Sequence, residues 1–194
     1  VTMLPEPDGS ALRLYYLVRF GKDPTKNMLC LARSDNGRDW SRPDLGDGTN
    51  IVMRASGHVT GWGIFMPKRI VHDPADAKAP WKMIYWERPS ERSPVGICLA
   101  TSPDGIVWTQ LGDQPLIDSA NDAASFTPAH PSHAEPLRGG RYLLYQQTWR
   151  YNPALPQVRD NLKAMHRRIS VWHNSAFNTT KMSGGWIGPI TVLE

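Results

Sequence analysis

Apolar and polar residues alternate along most of this chain in short runs separated by Gly, Pro, Asp and Asn. The runs ALRLYYLVR (11–19), WKMIYWE (81–87), VGICLATS (95–102) and RYLLYQQTW (141–149) have the period of strands with two unlike faces. Seventeen Pro and sixteen Gly fall mostly between such runs, a distribution that fits many turns and few long helices. All-β is the expected class.

Taken in order, residues 1–19 read as two strands joined at Asp8-Gly9. A loop with Gly21, Asp23 and Pro24 follows, then a strand over 28–34, a turn at Asn36-Gly37 and a short fourth strand around Trp40. From Asp44 to Gly61 the chain is rich in Gly, Asp and Asn and reads as a long connection, with Ile51-Val52-Met53 inside it. The cycle restarts with IFMPKRIVH, WKMIYWE, VGICLATS and VWTQL. After a loop over 112–127, a third unit runs through HPSHAEPL, RYLLYQQTW and RRISVWHNSAF, and its last hairpin is degenerate.

One stretch fixes the repeat. LCLARSDNGRDW (29–40) and ICLATSPDGIVW (97–108) lie 68 residues apart and share Cys, Leu, Ala, Ser, Gly and Trp at six of twelve positions. Asn-Gly and Asp-Gly tolerate the positive φ of tight two-residue turns, the Ser hydroxyl can bond nearby backbone, and the Trp ring can cover the corner. The motif is therefore a folding device before it is a site. Leu17 to Trp40 and Tyr85 to Trp108 are both 23 residues, which aligns Leu17 with Tyr85.

Four-strand units repeating at roughly 60–80 residues are the signature of radially arranged sheets, the propeller architecture. The expected blades are approximately 1–45, 62–115 and 128–194, in a single propeller domain or part of one. Propellers have at least about four blades, so closure calls for missing blades or another chain.

The charge adds little. The 22 basic and 18 acidic residues give +4, with the basic ones scattered, so no nucleic-acid partner is expected. No apolar run reaches the length of a membrane span, and the start lacks the basic and apolar regions of a signal peptide. Cys30 and Cys98 sit at equivalent points of two repeats, too far apart for a disulfide, and are expected to be buried thiols.

The Ser-x-Asp/Asn-Gly-x-x-Trp turn, the alternating strand before it, and the KMIYWE and RYLLYQQ strands together resemble the five-bladed propeller glycoside hydrolases of families 43, 32 and 68. The likeness is strongest to bacterial proteins similar to the family 32 N-terminal domain, and it covers nearly the whole chain. The sialidase Asp-box, Ser-x-Asp-x-Gly-x-x-Trp, is one residue longer between Ser and Gly than either copy here, so five blades are preferred to six. The resemblance implies hydrolysis of a glycosidic bond in an oligo- or polysaccharide by paired carboxylates, without a cofactor or metal. It also favours an extracellular or periplasmic location. A non-catalytic carbohydrate-binding or structural propeller is the alternative.

Strand direction sorts the candidates. If first strands begin at the ligand face, the Asp-Gly turns lie on the far side, which removes Asp35, Asp39 and Asp104. The second-strand exits are then Arg19, Glu87 and Gln147, and loops add His58, Trp62, Arg88, Trp149 and Arg150. A glycosidase needs one carboxyl as acid and another as base or nucleophile; Glu135 and Glu87 are the candidates. Glu135 otherwise pairs with Arg138 or Arg141, and Glu87 with Arg88 or Arg92 at a rim. In the related families acids come from first-strand starts, but here Met66-Pro67 stands where Asp-Pro is expected. For substrate binding, Trp62, Trp149 and Tyr151 suit stacking on sugar rings. Arg19, Gln147, Arg150, His130 and His133 suit hydroxyls or an acidic substituent. Two His at i, i+3 on a strand point to opposite faces, which disfavours a shared metal.

Overall fold

The computed structural model describes residues 2–21, 23–58, 65–118, 124–128, 142–151, 165–174, 177 and 187–193, and in the last four strands it describes side chains at 142–146 and 169–174. The chain forms two compact units, Val1–Ser119 and Ala120–Glu194. Among the described residues all regular structure is β, apart from one 3-10 turn at Pro24–Lys26. The chain is thus all-β, built on antiparallel sheets of four and five strands.

The first unit holds two sheets. One runs β1 (Thr2–Pro5), β2 (Leu12–Val18), β3 (Met28–Ser34) and β4 (Ile51–Arg54). The other runs β5 (Met66–His72), β6 (Trp81–Glu87), β7 (Gly96–Ser102) and β8 (Thr109–Gln110), with β9 (Ile117–Asp118) also on β7. In the second unit β10 (Ala124–Pro128), β11 (Tyr142–Tyr151), β12 (Met165–Asn174) and β13 (Ile187–Leu193) form an antiparallel meander. Here β10 occupies a stretch whose sequence reads as a loop, while HPSHAEPL lies outside the described residues.

The fourth strand departs from expectation. Around Trp40 there is only a bridge between Arg33 and Ser41; the strand itself is Ile51–Arg54, inside the supposed connection. Between them the Asp44 carboxylate accepts the N–H groups of Gly46 and Gly48, folding the chain out and back onto the same edge of β3. The second sheet repeats the plan, with Thr109–Gln110 on one half of the β7 edge and Ile117–Asp118 on the other. A fourth strand split by a loop satisfies the whole edge with pieces too short to show a period.

The corner preceding it is also wider than a two-residue turn, since the flanking pairs are Arg33 with Ser41 and Thr101 with Thr109. Inside, the two copies are built alike. Ser34 Oγ accepts Gly37 N–H and Ser102 Oγ accepts Gly105 N–H, both at 2.8 Å. Asn36 Oδ1 accepts the N–H groups of Arg38 and Asp39, as Asp104 Oδ1 does those of Ile106 and Val107. The Trp108 indole donates to Gly105 O at 3.2 Å.

Their surroundings differ. The second corner docks on β2 of the first sheet, where Tyr15 Oη donates to Gly105 O at 3.0 Å and Arg13 Nη1 to Asp104 O at 2.5 Å. Tyr15 meets Trp81 and Trp108 edge-on at 6.1 and 6.4 Å, and the Arg13 guanidinium lies 4.6 Å from the centre of the Trp81 ring. Behind this junction Leu29, Leu31, Phe65, Met83 and Tyr85 close one core shared by both sheets. Cys30 and Cys98 are buried free thiols, as expected.

The contrast between the corners is testable. Gly37 and Gly105 both have positive φ, +74° and +76°, so alanine at either costs about 1 kcal/mol of backbone strain. A Cβ at Gly105 would also stand 2.5 Å from Arg13 Nη1 and from Tyr15 Oη, whereas at Gly37 the nearest atom is Leu12 Cδ1 at 3.4 Å. Denaturant unfolding should show Gly105→Ala losing about 2 kcal/mol more than Gly37→Ala. Equal losses would mean the junction gives way freely.

Candidate functional site

The strands carry different chemistry at their two ends. Ser34 pairs with Leu12 and Ser102 with Trp81, so both Ser-to-Trp corners lie at the end where β1 and β5 finish. Asp35, Asp39 and Asp104 belong to that end. At the other end β2 and β6 finish and β3, β5 and β7 begin, which places Arg19, Met66 and Glu87 there.

Register alters one equivalence. Tyr16 stands opposite Cys30 and Tyr85 opposite Cys98, so Tyr16, not Leu17, matches Tyr85, and Val18, not Arg19, matches Glu87. The cause is a connection of residues 19–27 after β2 against 88–95 after β6, one residue longer. Arg19 falls just past its strand, exposed, with Nη2 3.2 Å from Met66 Sδ.

Glu87 closes β6, a strand buried at every position, and is itself 1 % exposed. Its Oε1 accepts the Ser56 N–H at 2.7 Å, while Ser56 Oγ donates to Arg88 O at 2.7 Å. The segment after β4 is thereby fastened to the end of β6. A rim ion pair with Arg88 or Arg92 is not what forms, because the Arg88 guanidinium donates to the carbonyls of Ser93 and Glu91. Burial pushes the Glu87 carboxyl up to about 7, and the Ser56 hydrogen bond offsets this only in part. Burial likewise raises the neighbouring Cys98 thiol and Tyr85 hydroxyl, with the Glu87 charge adding to both shifts.

Tyr85 Oη donates to Gln110 Oε1 at 3.0 Å, and its ring meets the fully buried Phe65 edge-on at 5.7 Å. His58 is exposed and donates its backbone N–H to Ser56 Oγ at 3.2 Å. Sequence reasoning missed Ser56. What it contributes to Glu87 is a backbone N–H, which any residue but proline carries.

Trp62, His130, His133 and Glu135 lie outside the described residues. Gln147, Trp149 and Arg150 have their backbone in β11, opposite Ile169, Arg167 and His166, and their side chains are likewise outside the description.

The raised Glu87 carboxyl has a stability consequence. A folded-state value moved from 4.5 to about 7 means that the neutral form's contribution is complete below pH 4.5 and is lost as pH rises through 7. Glu87→Gln stays neutral throughout. Against wild type it should gain up to about 3 kcal/mol between pH 4.5 and 8, read from paired unfolding curves. Parallel pH profiles for the two proteins would show that Glu87 ionises normally.

No family model matches the chain, and no curated protein matches it by sequence. Solved structures do. A glycoside hydrolase shares the fold over 100 % of this chain and 58 % of its own, with a TM-score of 0.54 and 13 % identity. BT0996, solved as an RGII complex, matches over 95 % of this chain and 55 % of its own, with a TM-score of 0.52 and 13 % identity. A protein from Parabacteroides distasonis matches over 89 % and 46 %, with a TM-score of 0.52 and 15 % identity. The chain thus spans about half the length of the structures it matches. At this identity the likeness is one of fold, and that fold is glycoside hydrolase-like.

Proposed function

We propose that this chain is part of a propeller glycoside hydrolase related to families 43, 32 and 68, with the sheets β1–β4, β5–β9 and β10–β13 as its blades. Glu87 is its general acid. The observation that carries the reading is a buried carboxyl with a value of about 7, at the strand ends away from the corner motifs, in a glycoside hydrolase-like fold. A carboxyl that is half protonated at neutral pH can give its proton to the glycosidic oxygen as the C–O bond breaks. A second carboxylate, for which Glu135 is the candidate, then acts as base toward water or as nucleophile on the anomeric carbon.

On the same reading Trp62 and Trp149 are the residues that stack on sugar rings, and Arg19, Gln147, Arg150, His130 and His133 those that bind hydroxyls. The carbohydrate complex among the structural neighbours supports a sugar ligand. Because the chain spans only about half of those neighbours, further blades or another chain complete the ring.

A second reading has its own observation. The Glu87 carboxylate already holds the Ser56 N–H and is almost wholly buried, as a staple between two sheets would be. On that reading the propeller binds carbohydrate without cleaving it.

Native mass determination with a glycan hydrolysis screen separates the two. As a general acid, Glu87 should give an activity that falls as pH rises above about 7, and Glu87→Gln should lower kcat by roughly 10²-fold or more, as should Glu135→Gln. Undiminished turnover in Glu87→Gln would remove it from catalysis. Glycan binding without turnover would select the second reading.

A further inference from the structure

A concavity lies at the same strand ends as Glu87. It is a cavity of about 260 Å³ between the β2–β3 connection and the end of β4, walled by Phe20, Lys26, Asn27, Met28, Arg54 and Ala55. Its volume sits just below the usual range for small-molecule sites, about 300–1,000 Å³, so it suits one ring-sized group.

Its chemistry is specific. Asn27 is 2 % exposed, and its Oδ1 accepts the Phe20 N–H at 3.0 Å, which fixes the orientation of the amide. The Asn27 backbone is satisfied as well, with its N–H on Pro24 O and its carbonyl taking the Ala55 N–H. The amide nitrogen is left over, and it donates to none of the described residues. That donor is not sealed in the interior, so a ligand seated in the cavity can reach it.

Two cations and an aromatic ring flank this donor. Lys26 is matched by Asp23 at 3.1 Å, whereas Arg54 makes no contact ion pair among the described residues and meets the Asp47 charge only at longer range. Phe20 is 41 % exposed, an apolar face left to solvent at the cavity mouth. A flat apolar ring suits the C–H face of a sugar, an amide N–H₂ suits its hydroxyl or ring oxygens, and an unmatched guanidinium suits a carboxylate in forked geometry.

We infer that this cavity binds the uronate unit of an acidic glycan. The inference rests on the carbohydrate reading above and names the class of sugar. Glu87 is joined to the site through the chain, since Arg54 and Ala55 form its wall and Ser56, the next residue, holds the carboxyl.

The test uses the full chain and two simple probes, methyl glucuronide and methyl glucoside, with binding followed by NMR titration. Wild type should bind the uronide about tenfold tighter, and rising salt should narrow the difference. Arg54→Gln should abolish the preference. Asn27→Asp keeps an oxygen for the Phe20 N–H but replaces the free donor with a negative charge, and should weaken the uronide about tenfold or more. Phe20→Ala should weaken both sugars alike. Melting curves establish that each variant is folded.

Equal affinity of wild type for the two probes, or a preference that survives Arg54→Gln, overturns the inference. Acetate binding as tightly as the uronide overturns the assignment to a sugar. If neutral glycans are still bound or cleaved in those cases, the broader carbohydrate reading stands and only the cavity assignment falls. If no glycan of any kind binds, both fall.

Discussion

At the Asp104-Gly105 corner two successive carbonyl oxygens are met by donors from one strand, Arg13 and Tyr15 of β2, and the Trp108 indole holds the Gly105 oxygen from within the corner. Two donors on one strand meeting two successive carbonyls bind the corner and β2 to a single docking geometry. That contact fixes the second sheet against the first at the end where the motifs lie. At the opposite end the same two sheets are tied again, by the Ser56 N–H on Glu87 and by Arg19 on Met66. Between the two ties lies an apolar core, in which Tyr15, Phe65, Trp81 and Tyr85 set the spacing.

Charge is handled differently at the two ends. Near the corners, buried or half-buried ions are matched: Arg13 Nε lies 2.6 Å from Glu6 Oε2, Arg33 stands 3.0 Å from Glu6 Oε1, and Lys82 meets Asp76 at 2.5 Å. The Lys82 hydrogen bond holds the Asp76 carboxyl below its ordinary value. Pairs of this kind add little net stability, yet removing one partner is expensive because the other stays behind. Glu87 has no such counter-ion among the described residues. Its one bond is to an N–H dipole, and burial therefore dominates its titration. The asymmetry leaves, at the end free of corner motifs, a buried carboxyl that serves as a tie between the sheets without a counter-ion.

Part of this was legible in the sequence and part was not, for separable reasons. The corner motif is readable because its serine, its glycine and its tryptophan act within a few residues of one another, so a local pattern carries the whole geometry. Strand alternation separated the ends, and the matched positions of Cys30 and Cys98 anticipated two buried thiols. The split fourth strand was hidden because Ile51–Arg54 is short and flanked by Asp, Gly and Ser, and its partner edge lies twenty or so residues back. Arg19 was misaligned with Glu87 because equal spacings to the two tryptophans conceal a connection lengthened by one residue. Ser56 and Asn27 had no signature at all. Each works through one backbone or amide group whose role exists only once distant strands have met.

The run Arg54-Ala55-Ser56 shows how such hidden contacts bear on chemistry. Ala55 gives its N–H to Asn27 O on one side, and Ser56 gives its N–H to Glu87 on the other. Backbone donors have no rotamer freedom, so the two bonds hold the run more rigidly than side-chain contacts of the same strength would. Protonation of Glu87 weakens its bond with Ser56, because a neutral carboxyl is a poorer acceptor than a carboxylate. The hold on the run at Ser56 is therefore strongest when the Glu87 carboxyl is ionised. One short segment thus runs from the cavity wall at the end of β4 to the buried carboxyl at the end of β6, held by bonds that belong to the fold itself.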